Sequence, residues 1–158
     1  MLWSLILALL LLVLLFARFR SQLSGTTPYN MDRANIPGEF EKHLTRYQDF
    51  AKLIITLAGT AAGLIINVLI GLDVSHNSYR DRFVAGAPAA IVFFGFSVGA
   101  MVFFIILLNL FYEEYTHSEK KDTYTAPKYA LVQALGALGS LCFVIGSFMV
   151  AIRIFLIS

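Results

Sequence analysis

The feature that most restricts this chain is a set of long runs that carry no charge. Residues 53–72 read "LIITLAGTAAGLIINVLIGL", and residues 88–112 and 129–152 also lack Asp, Glu, Lys and Arg. A run of about 18 or more apolar residues matches a helix that crosses the hydrocarbon core of a bilayer. Inside lipid the backbone must bond to itself, which a helix does within one segment. Composition agrees: 58% of residues are hydrophobic and 14% are charged, with a mean hydropathy of +0.75. An ordinary soluble domain carries about 25% charged residues. The expected fold class is therefore an all-α integral membrane protein.

Four spans are expected, at about residues 2–17, 50–72, 88–112 and 129–157, in one membrane domain covering 1–158. They form a transmembrane helical bundle. The first, "LWSLILALLLLVLLFA", is leucine-rich on every side and is followed by Arg18 and Arg20. Its leading residues "MLWS" carry no charged side chain, and the positive charge comes after the apolar run. A cleaved signal peptide has the reverse order. The segment is expected to be an uncleaved anchor. Between spans one and two, "GTTPYNMDRANIPG" is turn-rich. In "EFEKHLTRYQDFAK", residues 39–52, Phe40, Leu44, Tyr47 and Ala51 recur at helical spacing. This predicts a short amphipathic helix on the cytoplasmic side before span two, either lying on the membrane surface or running into the span.

The connecting segments set an orientation. Loops 18–49 and 113–128, with the adjoining span ends, hold Arg18, Arg20, Arg33, Lys42, Arg46, Lys52, Lys120, Lys121 and Lys128. Loop 73–87 and the end of span four hold Arg80, Arg82 and Arg153. Lys and Arg concentrate on the cytoplasmic side. Both termini are accordingly expected outside, in a plasma (bacterial inner) membrane, with 73–87 as the outer loop.

Helices in lipid gain little by pressing leucine against leucine; they associate where small residues let backbones approach. The expected packing positions are Gly59, Gly63 and Gly71 in span two, Gly95 and Gly99 in span three, and Gly136, Gly139 and Gly146 in span four. In span four, Gln133, Gly136, Gly139/Ser140, Phe143, Gly146/Ser147, Val150 and Arg153 recur at steps of three and four, giving a heptad-like seam of small and polar residues. Spans two, three and four are expected to form a close-packed core, with span one at its periphery. The polar residues within the spans are Thr60, Asn67, Ser97, Asn109, Gln133 and Arg153. Asn67 and Asn109 fit interhelical hydrogen bonding. Arg153 fits snorkelling to the outer surface, or pairing with Asp73 or Asp81.

No span has a charge at its centre, where a proton-coupled transporter would need one. Asn109, Glu113 and His117 are spaced by four, and His43 is expected on the same side, but a metal site needs more converging ligands than this. Cys142 is the single cysteine and reads as a packing residue. No phosphate-binding Gly loop, nucleophile elbow, HExxH or CxxC occurs. Neither an enzyme nor a cofactor is expected, and a net charge of +2 gives no case for nucleic acid. The expected role is that of a small polytopic protein acting by helix–helix assembly, as an accessory or structural subunit. Its partners are the lipid bilayer and other membrane subunits or copies of itself. The alternative is a homo-oligomeric channel lined by Thr56, Thr60, Asn67 and Ser97, or a membrane-perturbing effector.

Overall fold

The computed structural model describes residues 2–22, 39–71, 78–117 and 125–155. They hold four helices and no strand: α1 (Leu2–Gln22), α2 (Glu39–Gly71), α3 (Ser78–His117) and α4 (Ala126–Phe155). Three helices contain stretches long and apolar enough to cross a membrane: His43–Ile70, Gly86–His117 and Pro127–Ile152.

Two boundaries are set by the structure: one decides between two expected arrangements, and one departs from expectation. Residues 39–49 form no separate helix; of the two arrangements expected they take the second, running into the span as the first turns of a continuous, 33-residue α2. No Gly or Pro interrupts the chain between Gly38 and Gly59, and Glu, Lys, Leu, Gln and Ala there favour helix. At 1.5 Å per residue α2 is about 50 Å long, so it extends well past a hydrocarbon core of about 30 Å. Likewise, α3 begins at Ser78, inside the segment expected to be the outer loop, and continues through Pro88. A proline in a helix interior costs about 3 kcal/mol. Here the turns around it are held by packing, since Ala87 and Ala90 are buried against Ala58 and Ile65 of α2. Pro127 lies in the first turn of α4, where its missing N–H costs nothing; the helix's opening bond runs from Tyr129 N–H to Thr125 C=O at 3.1 Å.

α3 is the axis of the assembly. Ala87, Ala90, Phe94, Ser97, Met101, Phe104 and Leu108 are all buried. They alternate steps of three and four, which keeps one seam on one side of a helix. The most extensive contact is α3 with α4, followed by α2 with α3 and α1 with α4. Among the described residues the backbones of α1 and α2 do not approach each other closely. The main contacts therefore run in the order α2–α3–α4–α1, with lesser ones between α2 and α4 and between α1 and α3. Leu11, Leu12 and Leu15 of α1 pack on Phe93, Ala100, Leu138 and Cys142, while Ile6, Leu10, Val13 and Leu14 of α1 are exposed.

The α3–α4 contact is a set of large side chains seated over glycines. A Cβ at Gly136 would lie 3.1 Å from the Phe104 ring, one at Gly139 2.8 Å from Met101 Cγ, and one at Gly146 3.0 Å from the Phe94 ring. Each step up α4 matches an equal step down α3, so the pair is antiparallel and in register. Ser97, fully buried, donates its hydroxyl to the Gly139 carbonyl at 2.7 Å. Ser140 and Ser147 instead bond the Gly136 and Phe143 carbonyls of their own helix.

Candidate functional site

The glycines of α2 and α3 stand in a different environment from those of α4. Ala51, Ile54, Ala58 and Ile65 make the buried stripe of α2. A residue step turns an α-helix by about 100°, so Gly59 and Gly63 are carried off that stripe and are exposed. Among the described residues, a Cβ at Gly59, Gly63, Gly95 or Gly99 would meet nothing within 4 Å. Gly95 is exposed and Gly99 half-buried. Around them stand exposed apolar side chains: Leu64 and Ile66 on α2, Val102 and Ile106 on α3.

One hydrogen bond places these two glycine rows relative to each other. Gln48 Nε2 of α2 donates to Asn109 Oδ1 of α3 at 2.6 Å. Stepping eleven residues up α2 from Gln48 reaches Gly59, and eleven down α3 from Asn109 reaches Val98, beside Gly99. The Gly59–Gly63 and Gly95–Gly99 rows therefore share one depth along the pair. Around the helices, Gly59 and Gly63 lie about 20° and 60° from Gln48, and Gly95 and Gly99 about 40° and 80° from Asn109, at 100° per residue. Both rows thus turn to the side where that amide pair sits, away from the α3 seam that receives α4.

The polar residues divide into three groups. Ser97 is buried and bonded to α4, so it is absent from any outer surface. Thr56 is exposed, and its hydroxyl donates to the Lys52 carbonyl of its own helix at 2.9 Å. Thr60 and Asn67 are exposed on α2, and neither has a side-chain bond among the described residues. Gln133 is half-buried on α4. The surroundings of Gly71 and the side chains of Arg153, Asp73 and Asp81 lie outside the described residues.

At the other end of α3, Glu113 and His117 do not build a metal centre with His43. The His117 ring Nδ1 lies 3.0 Å from the Glu113 backbone carbonyl. Among the described residues no three His, Cys, Asp or Glu side chains converge. Glu114 accepts a 2.6 Å bond from Lys128, whose ammonium stands 5.2 Å from the centre of the Phe111 ring. This ion pair ties the end of α3 to the start of α4. Tyr47 meets Phe104 edge-on, with ring centroids 6.3 Å apart.

Sequence reasoning did not find Gln48, the Asn109 partner, because that residue lies before the uncharged run of span two. It also did not identify Phe94, Met101 and Phe104 as the groups that fill the α4 glycines. Their three-and-four spacing was available, but every other position around α3 is apolar too, which erases the contrast that marks a buried face. Comparison with family models, with curated proteins and with solved structures finds no match.

Proposed function

We propose that the chain crosses the membrane four times, α1 included, and acts by lateral helix–helix assembly as an accessory or structural subunit of a membrane complex. The observation that carries this reading is the contrast between two sets of glycines. Those of α4 are filled by side chains of the same chain, whereas Gly59, Gly63, Gly95 and Gly99 have open space above the backbone. Small residues on an apolar helix allow a second backbone to come close, which leucine faces do not. Asn67 and Thr60, polar and unbonded on an apolar segment, add groups that a partner helix can satisfy. The nine-to-three distribution of Lys and Arg supports an arrangement with the start of α1 and the end of α4 outside a plasma membrane.

Native mass spectrometry after extraction in mild detergent tests the reading. The expected species is this chain with a different polypeptide, and Gly63→Leu, which fills the open face, releases it. A chain that stays alone under every gentle extraction condition contradicts it. A second reading, a homo-oligomeric path for ions or small solutes, is favoured by the exposure of Thr56, Thr60 and Asn67 along α2. It requires a defined homo-oligomer that passes ions in liposomes.

A further inference from the structure

We draw no further inference here: the strongest candidate, the outward glycine-lined face of α2 and α3 as a contact for a second copy of the chain, belongs to the site already described, and nothing in the structure shows what covers it.

Discussion

Replacing Gly139 by alanine tests the packing argument at its tightest point. The added methyl would lie 2.8 Å from Met101 Cγ, 3.0 Å from Met101 Cε and 3.2 Å from Met101 Sδ. The nearest of these atoms is close to the root of the side chain, and Met101 is fully buried, so it cannot swing into open space. Overpacking of this kind costs about 1–3 kcal/mol. Alanine also gains about 1 kcal/mol of helix propensity over glycine, which would mask part of the cost. Gly63→Ala makes the same chemical change where a Cβ meets nothing within 4 Å. The propensity gain is common to both variants and cancels in their comparison. Gly139→Ala should therefore be less stable than Gly63→Ala by about 1–3 kcal/mol. The assay is equilibrium unfolding by SDS in mixed micelles, at a detergent-to-protein ratio that keeps the chain monomeric. A Met101→Ala background should remove the difference, because residues in contact are not additive. Equal stability of the two single variants would show that Met101 does not close the space above Gly139.

Three further outcomes follow from the same geometry. Ser97→Ala removes the buried bond to the Gly139 carbonyl and should lower stability by about 0.6–2 kcal/mol, read by the same unfolding assay with helicity unchanged; no loss would mean the bond contributes nothing net. A double-mutant cycle on Gln48→Ala and Asn109→Ala should give a coupling of about 0.6 kcal/mol, and additive single effects would show that the amides do not meet in the membrane. Single cysteines placed at Arg20 and at Ser78, each in a Cys142→Ala background, should react with a membrane-impermeant thiol reagent from opposite sides; labelling from the same side would overturn the orientation.

Much of the architecture is legible in the sequence because lipid leaves few options. Uncharged runs of twenty or more residues mark the cores of α2, α3 and α4. The ends are less legible. Residues 78–87 contain Arg80, Asp81 and Arg82 and precede a proline, all of which read as loop; burial of Ala87 and Ala90 under α2 outweighs those local signals. The α4 seam could be read because its glycines and serines repeat at alternating three and four, the period that stays on one side of a helix. The rows at Gly59–Gly63 and Gly95–Gly99 repeat at four, and a step of four turns the helix by about 40° past a full circle. Small size alone therefore marks where a backbone can be approached, not which helix approaches it. In α4 the neighbour is α3 of the same chain, while at Gly59, Gly63, Gly95 and Gly99 a Cβ would meet none of the described residues within 4 Å. Asn109 reads as an interhelical hydrogen-bonding residue and does bond across helices, to Gln48.

The proposed role rests on the face carrying Gly59, Gly63, Gly95 and Gly99 receiving another polypeptide. Its most direct measurement is native mass spectrometry of the wild-type chain beside Gly63→Leu and Gly95→Leu, all gently extracted from the same membranes. The wild type should travel with a different membrane polypeptide. Both leucine variants should lose that partner while the isolated chain unfolds no earlier than wild type, since among the described residues neither position meets a neighbour and leucine favours helix over glycine. A partner retained at full occupancy by both variants would contradict the account.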